Sequence, residues 1–294
     1  MFENFKKTIV KTRGADIVTV VGGNGPPLLL MHGNPFNHLT WNAVAPRLVE
    51  EFTVVCTDLR GYGDSSKPLG GVDHEAYSFR AMAQDQVEVM QSLGFETFYA
   101  AGHDRGARVL HRMCLDSQER VLRSAFIDML PQHHLLNNVN FQWGKFSWHW
   151  FFMIQPSPTP EHMISADPEF YIRRKLSKTA SGTSFFNPEA LADYIRCIKN
   201  PETVRAMCEE YRATVGIDLA MDTQDFDNGK RVTSPSMILW GQNGGVGRNH
   251  DAAAVWGQYA TNIVKTATVP SGHYLQEECP DETYQALQSF FSEH

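Results

Sequence analysis

The chain has few cysteines, no long apolar run and no excess of positive charge, and each of these absences excludes a class of protein. Its five cysteines are scattered without Cys-x-x-Cys spacing, so we expect reduced core thiols rather than a disulfide framework. The longest apolar runs, residues 26–31 and 148–154, are far shorter than the roughly 20 residues that a membrane span needs. A net charge of −7 argues against nucleic acid or an anionic membrane as a partner.

The remaining composition, 42% hydrophobic and 20% charged over 294 residues, is that of an ordinary globular protein. Residues 1–14 contain lysines and no apolar run before a small-residue cleavage site, so we expect no secretory signal and a cytoplasmic location. We also allow for a homodimer, although no pattern in the sequence decides the oligomeric state.

Strand patterns and helix patterns alternate along most of the chain. Helical patterns cover residues 78–93, 251–258 and 282–291. Apolar, strand-like runs lie at residues 17–21, 26–31, 53–57, 98–103, 124–129, 236–240 and 265–269. This alternation predicts an α/β fold with a mostly parallel, doubly wound sheet.

Between residues 131 and 231 the strand pattern disappears. Four helix starts recur there, each with a capping residue followed by proline and glutamate, at Thr159, Asp167, Asn187 and Asn200. Open α/β sheets bind ligands at the carboxyl ends of their strands, and this segment follows a strand that ends there. We therefore expect a helical cap at residues 131–231 over a core formed by residues 1–130 and 232–294.

An aspartate occupies the turn in which many hydrolases carry a nucleophilic serine. The run Gly102-His103-Asp104-Arg105-Gly106 follows an apolar strand and opens a helix, and its two glycines permit the sharp turn that exposes the central side chain. A carboxylate that attacks a saturated carbon leaves an ester that water can cleave, whereas serine would leave a stable ether. Asp104 is therefore predicted to be a nucleophile for alkyl substrates.

Hydrolysis of such an ester needs a base and an acid that orients it. His273 follows the last predicted strand, which is where hydrolases with a nucleophile turn of this kind carry the base. The alternative interpretation is that His273 is a loop histidine without a catalytic role. Asp128 ends an earlier strand and is the predicted orienting acid, because the loop at residues 241–245 offers no carboxylate near its strand. The alternative is that Asp128 only caps the turn into the cap.

Two arginines lie next to the predicted nucleophile. Arg105 follows it directly and Arg108 lies one helical turn further on, so both can keep Asp104 ionised. Asp104 neutralises only one of these two positive charges. A carboxylate on the substrate is the simplest partner for the other. The alternative is a surface ion pair between Arg108 and Asp116.

A leaving halide needs several hydrogen-bond donors, and the cap segment offers His149, Trp150 and Tyr211. The same aromatic residues could instead be plain core packing.

These motifs resemble those of the fluoroacetate (haloacetate) dehalogenases, which are α/β hydrolases with a helical cap, and the similarity spans nearly the whole chain. The residues that carry it are Gly-His-Asp-Arg-Gly-Ala-Arg at 102–108, Asp128 in Ile-Asp-Met-Leu, His149-Trp150, Tyr211 in Cys-Glu-Glu-Tyr-Arg-Ala, and Ser-Gly-His at 271–273. The resemblance implies an α/β-hydrolase fold and assigns the roles as follows. By this resemblance, Asp104 is the nucleophile, His273 is the base and Asp128 is the partner of that base. Arg105 and Arg108 bind the substrate carboxylate. The halide is received by His149, Trp150 and Tyr211.

The chain departs from this family at two positions. Asn34, in His32-Gly33-Asn34-Pro35, stands where the family usually has phenylalanine and looks more like the haloalkane dehalogenases, but those enzymes carry tryptophan where this chain has Arg105. We expect the backbone N–H groups of Asn34 and Arg105 to form the oxyanion hole. Lys178 stands where the family often has tryptophan, which puts size selectivity in doubt.

Hydrolytic dehalogenation of a small 2-haloacid, with water as the second reactant, is therefore the predicted function. Alternatives are an epoxide hydrolase or a haloalkane dehalogenase that uses the same aspartate, and a non-catalytic carboxylate-binding protein. No metal or cofactor is expected, because His133-His134 lacks the spacing of a ligand set and residues 241–247 lack the Gly-Lys-Ser/Thr of a phosphate loop. We expect both segments to be loops.

Overall fold

An eight-stranded sheet forms the centre of the computed structural model, which describes residues 1–177 and 182–293. The strands are β1 (Lys6–Lys11), β2 (Asp16–Gly22), β3 (Pro27–Met31), β4 (Thr53–Thr57), β5 (Phe98–His103), β6 (Val121–Ile127), β7 (Ser236–Gly241) and β8 (Ile263–Val269). Their order across the sheet is β1-β2-β4-β3-β5-β6-β7-β8. β1 pairs with β2, and β2 with β4, in antiparallel fashion, whereas all pairs from β4 to β8 are parallel. The predicted α/β fold with a mostly parallel sheet is confirmed.

Helices cover the sheet and connect most of its strands. They are α1 (Ala45–Leu48), α2 (Phe79–Ser92), α3 (Arg105–Asp116), α4 (Gln132–Asn137), α5 (Phe141–Phe146), α6 (Trp148–Met153), α7 (Thr159–Ala166), α8 (Pro168–Leu176), α9 (Pro188–Ile198), α10 (Pro201–Ala213), α11 (Leu219–Asp227), α12 (Gly245–Asn249), α13 (Ala252–Trp256), α14 (Leu275–Glu278) and α15 (Pro280–Ser292). Short 3₁₀ turns lie at His38–Trp41, Glu75–Tyr77 and Gln118–Arg120, and a π turn at Thr214–Asp218 joins α10 to α11. None of the helices in residues 1–177 and 182–293 has the length and apolar composition that a membrane crossing requires.

The sheet buries an apolar layer on each of its faces. Along β3, Leu29 and Met31 belong to one buried cluster and Leu28 and Leu30 to the other, because successive side chains of a strand point to opposite faces. Residues of α2 and α3 complete the first cluster, and residues of α15 complete the second. Since both faces are covered, the inner parallel strands β3, β4, β5 and β7 are largely apolar, which is why the sequence reveals them.

The first strand was not predicted from the sequence. β1 contains Lys6, Lys7 and Lys11, and four of its six residues are exposed on the edge of the sheet. Charged residues are common on edge strands because they discourage pairing with other chains, and they erase the apolar pattern. The five cysteines, in contrast, are free thiols as expected, and four of them are buried.

Helices α4 to α11 all lie between β6 and β7, at the place where the sequence predicts the cap. The side chains of Asp167, Asn187 and Asn200 accept N–H hydrogen bonds at the starts of α8, α9 and α10, which confirms three of the four predicted capping residues. Thr159 is the exception: it is the first residue of α7 and its side chain forms no capping bond. Inside the first turn a residue lacks the extended backbone that brings a capping oxygen to the free N–H groups.

Two expected loops are partly helical. His133 and His134 lie in α4, and residues 241–247 include the end of β7 and the first turn of α12. The prediction of loops was wrong because neither segment contains the proline that would stop a short helix, and helices of five or six residues leave almost no periodic pattern.

We expect Asn187→Ala to lower the free energy of unfolding by about 1 kcal/mol, because two N–H groups at the start of α9 lose their acceptor. Thr159→Ala is the matched control and should change it far less, since Thr159 caps nothing. Urea unfolding followed by circular dichroism measures both variants. Similar losses at the two positions would contradict this assignment of caps.

Candidate active site

Asp104 stands at the turn between β5 and α3, in a backbone conformation that few residues adopt. Its φ is 51°, and the two neighbouring glycines make the turn possible. A Cβ atom on Gly106 would lie 2.5 Å from the carbonyl oxygen of His32, and one on Gly102 would lie 2.4 Å from the carbonyl oxygen of Gly106. The close approach of strand and helix therefore requires glycine at both positions and holds the Asp104 side chain above the sheet edge.

Asp104, His273 and Asp128 form a continuous contact chain at this edge. Nε2 of His273 lies 3.5 Å from Oδ2 of Asp104, and its Nδ1 lies 2.5 Å from Oδ2 of Asp128. Oδ1 of Asp128 accepts the backbone N–H of Gly241 at 3.0 Å, so β7 holds the carboxylate in place. The structure thus brings together the three side chains that the sequence singled out, from the ends of β5, β6 and β8.

The Asp104 carboxylate is held in its charged form. Burial raises its pKa, but the hydrogen bond and charge of His273, together with His103 and Arg105, outweigh burial and place the pKa well below its ordinary value. The backbone N–H of Asn34 also donates to Oδ1 of Asp104 at 3.0 Å. Oδ2 is the oxygen that faces His273, so the two oxygens have different surroundings.

The two arginines have different environments. Arg105 is fully buried; its Nη1 donates to Thr214 Oγ1 at 2.8 Å, and its guanidinium carbon lies 3.6 Å from the centre of the Tyr211 ring. Arg108 lines the cavity above Asp104 and donates from Nη1 to the carbonyl oxygen of Leu130 at 3.2 Å. Burial and the nearby charge of Arg105 lower the pKa of Arg108 to about 10, which is the direction expected for a cation that lacks an anion.

The alternative surface ion pair between Arg108 and Asp116 is wrong. Asp116 pairs instead with Arg80 at 2.7 Å, Arg112 at 3.2 Å and Lys230 at 3.2 Å. Among the residues that the structure describes, no carboxylate lies within ion-pair distance of Arg108. The leftover charge that the sequence indicated is therefore that of Arg108.

Glu210 is a buried partner of Arg105 that sequence reasoning missed. Its Oε1 lies 3.5 Å from Nε of Arg105, and its Oε2 accepts a hydrogen bond from the Tyr62 hydroxyl. Burial raises the pKa of Glu210, while Arg105 and Tyr62 act against that rise. Tyr62 in turn accepts from the Asn34 side-chain amide at 2.9 Å, so the network connects the cap helix α10 to the loop after β3.

The signal that could have identified Glu210 was its position on α10. Thr203, Met207, Glu210 and Thr214 are spaced by four, three and four residues, so they share one helix face, and all four are buried. An acidic residue on such a face needs a buried partner.

His149, Trp150 and Tyr211 lie in mutual contact in the cap. The His149 and Tyr211 ring centroids are 5.9 Å apart, and those of Trp150 and Tyr211 are 5.3 Å apart. His149 and Trp150 line the same cavity as Asp104, whereas Tyr211 packs behind the Arg105 guanidinium and is not part of the cavity wall. The structure therefore brings these residues together near the nucleophile, with two of them facing the cavity. Lys178 lies outside the described residues.

The comparisons with known proteins agree with this arrangement. A family model described as the alpha/beta hydrolase fold matches residues 26–280. The chain belongs to this hydrolase family. A fluoroacetate dehalogenase from Burkholderia sp. is 42% identical to it over 294 residues, which cover 100% of this chain and 96% of that protein. A soluble epoxide hydrolase from Corynebacterium sp. strain C12 is 30% identical over 287 residues, which cover 93% and 92% of the two chains.

A solved structure extends this similarity to three dimensions. A protein from Nostoc sp. PCC 7120, described as an alpha/beta hydrolase, is 47% identical to this hydrolase, with a TM-score of 0.97 and 100% of both chains covered. The predicted fold and enzyme class are confirmed by these matches, and so is the resemblance to the dehalogenases. The catalytic and ligand roles of single residues stay predictions.

In this hydrolase we expect Glu210→Gln to lower the free energy of unfolding by about 3 kcal/mol, because Arg105 would stay charged and buried without its anion. The matched control is Glu202→Gln on the same helix, where an exposed ion pair with Arg205 at 2.8 Å is worth less than about 1 kcal/mol. Urea unfolding measures both. If the two losses are equal, the buried pair has no special role in stability.

Proposed function

We propose that this hydrolase converts small 2-haloacids, haloacetates including fluoroacetate, into 2-hydroxy acids and halide through an ester on Asp104. One observation carries the proposal: buried guanidinium N–H groups beside an ionised carboxylate have no acceptor among the described residues. These groups are Nη2 of Arg105 and Nε of Arg108. Unpaired buried donors are costly, and a substrate carboxylate offers both the acceptors and the charge that they lack.

In the first step, Asp104 acts as the nucleophile. Arg108, and Arg105 behind it, hold the substrate carboxylate and so fix the position of C2 against the Asp104 side chain. Oδ2 of Asp104 attacks C2 from the side opposite the halogen, and the halide leaves with the electron pair of the carbon–halogen bond. Oδ1 stays hydrogen-bonded to the Asn34 N–H, so Oδ2 is the oxygen left for attack.

In the second step, water cleaves the ester. His273 accepts a proton from water through Nε2, and its other nitrogen keeps the 2.5 Å contact with Asp128, which stabilises the imidazolium that forms. The water oxygen attacks Cγ of Asp104. Oδ1 then carries the oxyanion charge and is stabilised by the N–H groups of Asn34 and Arg105. The Cγ–Oδ2 bond then breaks, the departing alkoxide takes the proton from the His273 imidazolium and becomes the 2-hydroxy acid, and the Asp104 carboxyl group returns to the carboxylate by releasing its proton to water.

The leaving halide is received by donors from the cap. His149 and Trp150 face the cavity, and the Tyr211 hydroxyl belongs to the same ring cluster. The imidazole and indole N–H groups of His149 and Trp150 can converge on one small anion, which stabilises the charge that develops on the halogen. Tyr211 packs behind them and supports their position. The relative from Burkholderia sp., which bears the name fluoroacetate dehalogenase, supports this choice of substrate.

Epoxide opening is the second candidate, favoured by the contact between His149 and Tyr211 and by the similarity to a soluble epoxide hydrolase. Those two residues could protonate the epoxide oxygen while Asp104 attacks the ring. Two buried arginines beside the nucleophile favour an acid instead, since a neutral epoxide leaves Arg108 without an anion. Halide release from chloroacetate, compared with diol formation from styrene oxide, distinguishes the two reactions.

We expect a His273→Asn variant incubated with chloroacetate to accumulate an ester, because the first step needs Asp104 and the second needs the base. Intact-protein mass spectrometry should show a gain of one carboxymethyl group, and peptide mapping should place it on Asp104. The double variant Asp104→Asn/His273→Asn is the control and should gain nothing there. An unmodified His273→Asn protein that has lost activity would contradict the two-step scheme.

We expect Arg108→Gln to raise the KM for chloroacetate by about 100-fold with a smaller change in kcat, because a charged hydrogen bond to the substrate carboxylate is lost in the ground and transition states alike. The control is Arg173→Gln at an exposed position of α8, which should change neither constant. Steady-state halide release measures both. A KM that stays within about twofold of the unmodified enzyme would remove Arg108 from the carboxylate site.

A further inference from the structure

The cavity above Asp104 is much larger than a haloacetate. Its volume is about 470 Å³. A haloacetate has only five non-hydrogen atoms, and even at roughly 30 Å³ for each, the share of one water molecule in the liquid, it fills about a third of that space. Pockets of about 300 Å³ and more are typical of ligands several times larger.

The wall of this cavity changes character away from the nucleophile. Next to Asp104 it is polar and charged, but Leu135, Trp143, Phe146 and Val246 supply apolar surface to the same cavity. Trp143 packs edge-on against Trp150, with ring centroids 5.6 Å apart, so the apolar part begins where the predicted halide site ends. A small anion gains nothing from apolar walls, whereas an apolar substituent is stabilised by leaving water for them.

The apolar part lies between helices from both halves of the fold. Phe146 of α5 packs so closely on α12 that a Cβ atom on Gly245 would lie 2.9 Å from its ring. Nearby, the ring centroids of His134, in α4, and His250, directly after α12, are 6.0 Å apart. Helices before β7 and after it therefore meet at this part of the cavity, which we call the apolar chamber and which opens to solvent along Phe146.

We infer that the substrates of this enzyme include 2-haloacids that carry an alkyl or phenylalkyl group on C2, with that group in the apolar chamber. The inference rests on the proposed function, and it names the substrate class for the same site. The carboxylate binds Arg108, Oδ2 of Asp104 attacks C2, and the halide leaves with the bonding electrons. Water then returns Asp104 to its carboxylate and gives the 2-hydroxy acid with its C2 group intact, together with one proton.

Three substrates of increasing size test this inference. Chloroacetate tests the proposed function alone, 2-chloropropanoate controls for a more substituted carbon, and 2-chloro-3-phenylpropanoate tests the chamber. We expect kcat/KM for the phenyl compound to be at least about tenfold higher than for 2-chloropropanoate, because burial of the phenyl group adds binding energy. Turnover of chloroacetate and 2-chloropropanoate without turnover of the phenyl compound overturns the inference and leaves the proposed function intact. No halide release from any of the three overturns both.

A substitution in the chamber wall provides a second test. Val246→Trp should fill part of the chamber and lower kcat/KM for 2-chloro-3-phenylpropanoate by about tenfold or more, with less than about a twofold change for chloroacetate. Val72→Trp is the matched control at a residue that is 95% exposed and outside the cavity, and it should change neither value. An equal loss on both substrates in Val246→Trp would show that the chamber does not select the C2 group.

Binding to the unmodified enzyme gives a readout that does not depend on a variant's folding. We expect 3-phenyllactate, the product of the phenyl substrate, to bind at least about tenfold more tightly than lactate in isothermal titration calorimetry. Equal affinities would contradict an apolar chamber for the C2 group.

Discussion

A carboxylate that is charged although mostly removed from water is the feature on which the site depends. Removal from water disfavours the charged form of Asp104. Three groups stabilise that form: a backbone N–H on Oδ1, the His273 ring near Oδ2 and the nearby Arg105 cation. Each of these groups belongs to a different element of the sheet edge. The sharp turn after β5 is what places the carboxylate among them, and it exists only because two glycines allow strand and helix to touch.

Arg105 and Arg108 of α3 both bring positive charge to the site, but they have different partners. Arg105 is enclosed by Glu210, Thr214 and the Tyr211 ring and lies behind the cavity wall. Arg108 lines the cavity without an acidic partner among the described residues. A protein with a net charge of −7 repels small anions at long range, so this local cation is the element that can draw one in. The pair of Arg105 and Glu210 connects α3 to α10, so the contacts of α10 reach the turn that holds Asp104.

The cap, formed by helices α4 to α11, supplies part of the wall of the cavity above Asp104. Its helices contribute the aromatic cluster beside the arginines and, with α12 from the sheet half, the apolar chamber beyond it. One end of the cavity is thus suited to charge and the other to apolar groups, and a single substrate can satisfy both only if it is an acid with an apolar substituent. This division of the cavity connects the chemistry of Asp104 to the selection of substrate.

The amino-acid sequence predicts seven of the eight strands, about half of the helix starts, and the set Asp104, Asp128 and His273, because these depend on local patterns. Apolar runs mark buried parallel strands, capping residues mark helix starts, and the glycine turn marks the nucleophile. It did not reveal β1, whose lysines hide an edge strand, or the absence of capping by Thr159. Folding in three dimensions brings Glu210 to Arg105, leaves Arg108 without an acidic partner among the described residues, and extends the cavity into the apolar chamber. Those facts depend on distances between residues far apart in the chain, and no local pattern records how α10 and α12 pack against the edge of the sheet.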